Sequence, residues 1–443
     1  MKYFKIFFAS FSSELNQEVN RGISVFLMLL VLLSIPLTHS VNSICLVLLL
    51  AVTLFFFKRK RLKIDFNLTL PIVLYLLMAL SFFWTINKSL TIPALSKELS
   101  LLVIPLCFML YGGLTLKQKK LILKYYSYGV LVYAVFYLAK ATGRYILTGN
   151  TNVFFYHELV TKDVNAIHVS VYMATSFFYF YTKQAKKTFD YIGIIVLLTI
   201  VTLLSSKNII IAFVALIIVY HLFYSKLAKQ MRMKNLIVLS MLVISLGFIG
   251  KIKMKLRQEY ETIMTDSTVN DVISKRDNTF YNVSIKQAWN NKTFNQNDFF
   301  PGTAFRVYQF RIFLEMLVED NIFWTGYGLN ASYPKIENKG LKYHVYLGDA
   351  ASEGYQKKNF HNQYIQNFAE LGLFGFLILL MMLFINVKNA FKSKDFVHFA
   401  FAFLMISLFL TESFLWRQRG VVFFTMMYCL FNSGITTNNS NAE

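Results

Sequence analysis

The stretch His361-Asn362-Gln363-Tyr364-Ile365-Gln366-Asn367-Phe368-Ala369-Glu370-Leu371-Gly372-Leu373-Phe374-Gly375 sets an imidazole where a polar segment gives way to a long apolar run. There it can take a proton from a hydroxyl or donate one to a phosphate oxygen. A histidine closing a helix end at an interface is the plainer reading of the same residue. Two upstream arginines differ in local company. Arg311 has Glu315 four residues on, so an ordinary i,i+4 ion pair accounts for it. Arg306 has Phe310 at i+4 and Gly302 at i−4, which leaves its guanidinium without a local acid and suited to phosphate. Lys207 follows Leu204-Ser205-Ser206 between two apolar runs, either snorkelling or holding an anion as a point charge. Asn165 and His168 enter another apolar run just after Tyr156-His157-Glu158. Arg417 and Arg419 lie between the last two runs, where headgroup anchoring and phosphate contact both fit.

The elements that must position these groups are membrane spans. Of the 443 residues, 56% are hydrophobic and 15% charged, against about 25% charged in an ordinary soluble chain. Apolar runs fall at 22–39, 42–57, 67–84, 98–113, 122–139, 166–182, 189–204, 207–223, 235–250, 369–387, 396–411 and 420–434. This pattern predicts an all-α polytopic membrane protein of about twelve transmembrane helices. The net charge of +22 is gathered in knots between runs rather than in a nucleic-acid patch, so no nucleic-acid partner is expected. Knots at Lys58-Arg59-Lys60-Arg61 and Lys63, at Lys117, Lys119 and Lys120, at Lys183, Lys186 and Lys187, at Lys226, Lys229, Arg232 and Lys234, and at Lys388, Lys392 and Lys394 all follow even-numbered runs. The positive-inside rule then puts both termini and the even-numbered loops in the cytoplasm. Residues 1–20 read as an interfacial lead-in rather than a cleaved signal.

Three parts follow: spans one to nine over 1–250, a large extracytoplasmic loop over 251–368, and spans ten to twelve with a short tail over 369–443. Within the loop, Phe310, Phe313, Leu314 and Leu317 recur at helical spacing over 305–319, so the loop is partly helical. Cys45, Cys107 and Cys429 sit inside apolar runs and read as small buried hydrophobes. The loop carries no Asp-x-Asp, His-Glu-x-x-His or cysteine cluster, so no metal or other cofactor is expected, and no Walker loop is present. No apolar run holds an acid near its middle, which argues against an ion-coupled transporter.

The His361 string resembles the signature of the O-antigen ligase and polymerase superfamily, His-(Ser/Asn)-x-x-Leu followed by glycine, with a Glu-x-Gly-x-x-Gly tail. His361, Asn362, Ile365 and Gly372 stand at the motif positions, and Glu370, Gly372 and Gly375 at the tail, with Ile365 replacing the usual leucine. Arg306 with Phe310, then Gly326-Tyr327-Gly328, resemble the family's Arg-x-x-x-Trp and Gly-x-Gly elements, Phe310 standing for tryptophan. The resemblance implies a GT-C-like glycosyltransferase of the bacterial inner membrane, with the large loop periplasmic between helices 9 and 10. It further implies a glycan donor on undecaprenyl pyrophosphate, a lipid A–core or other glycan acceptor, and no metal. His361 would then be catalytic, with Arg306, Lys207 and Arg311 near the pyrophosphate. Asn165, His168, Arg417 and Arg419 would serve the acceptor or accessory contacts. Ligation to lipid A–core is the first expectation; repeat-unit polymerisation and transfer to protein use similar parts, and a flippase of lipid-linked saccharide is the reading from another class.

The topology yields a direct test. A cysteine replacing Asn291 is expected to react with a membrane-impermeant reagent in intact spheroplasts, because the basic knots alternate so regularly. Reaction only after permeabilisation would invert the topology.

Overall fold

Short polar side chains start the helices. Asp65, Asn87, Asn165, Asn362 and Asp395 each accept a hydrogen bond from a backbone N–H of the turn that follows, and Thr115 with Gln118 forms a reciprocal capping box. The computed structural model describes residues 19–57, 62–161, 164–204, 207–226, 228, 230–235, 237, 260, 265–271, 273–274, 279–349 and 353–434. The expected ninth span (235–250), most of the N-terminal lead-in and the knot at 58–61 lie largely or wholly outside them.

The first helices are α1 (Val19–Leu33), α2 (His39–Phe55), α3 (Phe66–Leu80), α4 (Lys88–Glu98), α5 (Ser100–Tyr111) and α6 (Leu116–Thr148). Then come α7 (Ala166–Tyr181), α8 (Thr188–Leu203) and α9 (Lys207–Val219), which runs on into a π-turn at Tyr220–Tyr224. Helices thus occupy eleven of the twelve apolar runs, counting those after the loop. Among the described residues, five helical stretches are long and apolar enough to cross a membrane, and four shorter apolar helices accompany them. The chain is a multi-pass membrane protein. Two boundaries differ from the sequence reading. The fourth run gains α4 in front of it, a helix whose Lys88, Lys97 and Glu98 masked it from a hydropathy reading. The fifth extends to 33 residues.

The large loop folds as a small body of its own. It holds α10 (Ile285–Asn290), α11 (Gly302–Glu319), α12 (Tyr333–Lys342) and a minimal sheet of β1 (Thr268–Val269), β2 (Tyr281–Asn282) and β3 (Asp298–Phe299), antiparallel then parallel. Its apolar core gathers Phe300, Phe305, Tyr308, Ile312, Phe313, Met316 and Phe360 with Ile365 and Ala369 of the next helix. The face of α11 turned to that core is not the one expected. Of the four residues read as its apolar face only Phe313 is buried; Phe310 is exposed, and Leu314 and Leu317 are half-buried.

After the loop come α13 (Gln363–Ser393), α14 (Phe396–Phe409) and α15 (Gln418–Asn432). α13 starts inside the segment assigned to the loop, because its first turn is polar. It is broken at Gly372, where φ is +64° and ψ −161°. In an unbroken helix Leu373 N–H would donate to the Ala369 carbonyl. Instead Leu373 donates to Phe323 O (2.8 Å), while Tyr327 N–H takes Ala369 O and Gly328 N–H takes Glu370 O, both at 2.9 Å. Trp84 Nε1 donates to Thr325 O (3.0 Å) and Ile86 N–H to Tyr327 O (3.0 Å), pinning the same segment to the end of α3. The Gly-x-Gly element is therefore where the loop closes a helix break. A Cβ on Gly326 would lie 2.2 Å from the Glu370 carbonyl carbon, and one on Gly328 2.4 Å from Thr85 Cβ, with φ positive at both glycines.

The loop packs at one end of the helix bundle. At the other end Lys119 Nζ reaches Ser433 O and Lys183 pairs with Asp190, so the described basic knots gather away from the loop. Gly326→Ala is expected to lower the thermal midpoint of the detergent-purified protein by several degrees, since both space and φ forbid a side chain. Gly143→Ala, in the open on α6 with nothing within 4 Å, should leave it unchanged or raise it slightly.

Candidate functional site

Asn362 caps α13 by accepting from Ile365 N–H (3.1 Å), which explains the Asn-x-x-Ile spacing: cap, then its third helical residue. His361 immediately precedes the cap with φ +48°, held there by its own N–H donating to Asn359 Oδ1 (3.0 Å). Such a left-handed histidine costs of order 1 kcal/mol or more and persists only where the surroundings fix it. The bend turns the imidazole away from the helix into a cavity of about 360 Å³ lined by Tyr156, His157, Val164, Asn165, Ile167, Arg306, His361, Glu412 and Arg417.

Glu412 is the residue sequence reasoning missed. It follows α14, is 2% exposed, and its Oε2 lies 3.4 Å from His361 Nδ1, at the long end of hydrogen bonding. Burial alone would raise its carboxyl, but the hydrogen bond and charge of His361, with the fields of His168 and Arg417, hold it below the ordinary carboxylate value. A signal was present. After Asp395 the only acids are Glu412 and the terminal Glu443, and Glu412 stands at the end of an apolar run five residues before Arg417. If Nδ1–H donates to the carboxylate, Nε2 is left as an acceptor, the arrangement of a histidine base held by an acid.

Arg306 lies on α11 and reaches down to the end of α14. Its Nε and Nη2 both donate to Thr411 O (3.0 and 2.7 Å), and Nη1 to Gly302 O (2.8 Å). Among the described residues no carboxylate bonds it, as the spacing indicated. Burial pulls its guanidinium below the ordinary value, yet a guanidinium keeps its proton at any physiological pH. Asn208 Nδ2 donates to Thr411 Oγ1 (2.8 Å), tying the start of α9 to the same residue. Arg417 is exposed on the cavity wall. The walls thus bring two permanent cations, one carboxylate and the imidazoles of His361 and His157 together, a surplus of positive charge suited to an anion. Burial and the charge of Arg417 lower the His157 imidazole, against the opposite pull of Glu412 and Glu158.

Of the residues singled out from sequence, His361, Arg306, Asn165 and Arg417 line this cavity, and four do not. Arg311 is spent inside the loop: Nε donates to Glu315 (3.0 Å), Nη1 to Asn291 O (2.7 Å), Nη2 to Tyr343 Oη (3.0 Å), and the group stacks on the Tyr343 ring. The i,i+4 pairing read from the sequence is present, and the guanidinium does not line the cavity. Arg419 is buried, with Nε on Ile35 O and Nη2 on Leu37 O, closing the turn between α1 and α2. His168 is buried against Phe414, ring centroids 4.3 Å apart, behind the cavity wall. Lys207 opens α9 half-buried, and its neighbour Asn208 is the residue that reaches the edge of the site. Asn165 faces the cavity while its Oδ1 caps α7 through Ile167 N–H (2.8 Å).

Residues 192–380 match the family described as O-antigen ligase. The matched span takes in Arg306, the Gly-x-Gly element, His361 and the break at Gly372, and ends before Glu412. No curated protein matches the chain.

Glu412→Gln keeps the shape of the side chain and removes its charge. A carboxyl depressed by folding contributes stability that is present above its ordinary value, about 4.3, and is lost as pH falls through the lower folded value. The midpoint difference between the wild type and Glu412→Gln is therefore expected to be largest at neutral pH and to close at strongly acid pH. A difference independent of pH would mean that Glu412 is not held as a carboxylate.

Proposed function

We propose that this chain, whose residues 192–380 match the O-antigen ligase family, is a membrane glycosyltransferase that takes a glycan from undecaprenyl pyrophosphate and transfers it to an acceptor hydroxyl. The observation that carries this reading is the joining, in one cavity at the loop end of the bundle, of a carboxylate-held histidine with two guanidinium groups. The acceptor oxygen attacks the anomeric carbon as its proton passes to His361 Nε2. A new carbon–oxygen bond forms, the bond from that carbon to the pyrophosphate oxygen breaks, and the electron pair leaves with the lipid pyrophosphate. Negative charge grows on that leaving group, so cations fixed beforehand stabilise the transition state more than the ground state. Arg306, anchored through Thr411, and Arg417 are placed to do this; Glu412 keeps the imidazole oriented and stabilises its positive charge after proton transfer. The cavity opens at the end away from the basic knots, which by the positive-inside rule is the periplasmic face of the inner membrane.

Within this chemistry, ligation to lipid A–core is the reading we adopt, the His-Asn-x-x-Ile string followed by Gly372 being most similar to ligases. Deletion of the gene separates the neighbours. Uncapped core on a polysaccharide gel indicates ligation, single-repeat capping indicates polymerisation, and altered glycoproteins indicate transfer to protein.

His361→Ala is expected to cut transfer by about 100-fold or more in folded, donor-binding protein. His361→Gln should be equally inactive if the imidazole is a base, and partly active if it only donates a hydrogen bond. Arg306→Ala should cost about 100-fold, and Arg311→Ala should show its loss in stability rather than in turnover. Activity of His361→Ala near the wild-type rate would remove the base and, with it, this mechanism. Lys207→Ala as inactive as Arg306→Ala would extend the anion site to α9.

A further inference from the structure

Six non-glycine residues among those described adopt a left-handed backbone, and two of them, Tyr156 (φ +51°) and His361 (φ +48°), line the cavity that holds Glu412 and Arg306. For a bulky ring such a φ is an outlier, kept only where the surroundings fix it. His361 serves the proton transfer. Tyr156 is a second strained residue on the same wall.

The turn that carries Tyr156 is held on both sides. Phe155 N–H donates to Asn152 O (3.0 Å), and Glu158 N–H to Phe155 O (3.2 Å). Two cations of α6 clamp the residues that follow: Arg144 donates to Glu158 O (2.9 Å) and to the Glu158 carboxylate (2.6 Å), and Lys140 to Val160 O (2.5 Å). The Tyr156 ring packs against the bundle core beside His157, ring centroids 4.2 Å apart. Its hydroxyl is what this packing leaves over. Among the described residues the hydroxyl has no hydrogen-bond partner, although it lies within reach of the charges of Glu412 and Arg306. Burial and the Glu412 charge raise the phenol against the pull of Arg306, so it stays a neutral donor at physiological pH. Arg306 is likewise only part-used. Its bonds to Thr411 and Gly302 occupy three of the five N–H donors of a guanidinium, and two remain.

We propose that the Tyr156 hydroxyl is a further substrate contact of this site, donating to a pyrophosphate oxygen of the lipid-linked donor alongside Arg306. The proposal rests on the glycosyltransferase reading and adds a neutral donor to its two guanidinium groups. Spare donors gathered at one place suit a ligand that only accepts, and phosphate oxygens are such a ligand. Arg306 approaches from the loop, while the Tyr156 ring stands on the bundle core, so the anion is met from both bodies of the protein. A ring fixed in a strained turn needs no reordering when the ligand arrives, which is what such strain can be kept for.

The test reads binding and stability together. Undecaprenyl pyrophosphate is titrated calorimetrically into full-length, detergent-purified wild type, Tyr156→Phe and Tyr145→Phe, the last removing an exposed hydroxyl of α6 outside the cavity. Tyr156→Phe is expected to bind about tenfold more weakly or worse. Its thermal midpoint should equal that of the wild type, because the hydroxyl bonds nothing in the protein, and Tyr145→Phe should bind as the wild type does. Equal affinity in wild type and Tyr156→Phe overturns the proposal. A midpoint lowered by several degrees in Tyr156→Phe also overturns it, by making the hydroxyl structural. Full displacement of the titrant by phosphatidylglycerol overturns it too, and makes the cavity a general headgroup site. Wild-type protein that binds no undecaprenyl pyrophosphate removes the donor, and with it both this contact and the proposed function. Normal turnover by His361→Ala removes the base alone and leaves the contact standing.

Discussion

A helix interrupted at Gly372 leaves an N–H and two carbonyls without their helical partners, and buried backbone groups in that state are costly. The chain meets this constraint with its own loop. Phe323 O takes Leu373 N–H, and the N–H groups of Tyr327 and Gly328 take the carbonyls of Ala369 and Glu370. The Glu370 side chain adds to the same junction, with Ser332 Oγ at 3.1 Å and the Gln366 amide hydrogen-bonded to it. Because the loop completes the helix, its position relative to α13 is fixed to within hydrogen-bond tolerance. Everything the loop carries, Arg306 above all, inherits that precision.

This is why two distant sequence elements meet. Arg306 comes from α11, His361 from the turn before α13, Glu412 and Arg417 from the connection between α14 and α15, and Asn165 from the start of α7. A site built from four such places needs a rigid frame, and the buried helices α7 and α15 supply one. Thr411 couples the parts directly, its carbonyl holding Arg306 and its hydroxyl held by Asn208. Glu412, the next residue, holds His361. The guanidinium of the loop and the imidazole of the helix junction are therefore positioned by adjacent residues of one short turn.

How much of this was legible beforehand follows from the range of each interaction. Hydropathy is a local property, so the apolar runs predicted helices at eleven places where the structure describes them, and it failed locally too, at the charged α4. Arg311 and Arg306 could be told apart because their difference lies within one helical turn. Arg419 and Lys207 could not be placed, since what occupies Arg419 is a pair of carbonyls some 380 residues away in sequence. Glu412 escaped for the same reason: its meaning depends on His361, 51 residues upstream, being across the cavity from it. The helical period in α11 was read correctly but the centre of its inner face was not, because Leu314 and Leu317 pack only at the margin of the loop core and periodicity alone does not say where on the helix that core is centred.

Helix α11 links the loop to the bundle, with its inner face packed in the loop core. Arg306 sits in the first turns of that helix, with its guanidinium tied to the bundle through Thr411. The position of the charge is thus set by packing in the loop core and by two hydrogen bonds to a single carbonyl. Lysine in place of Arg306 would keep the charge but lose the fork that makes both of those bonds at once.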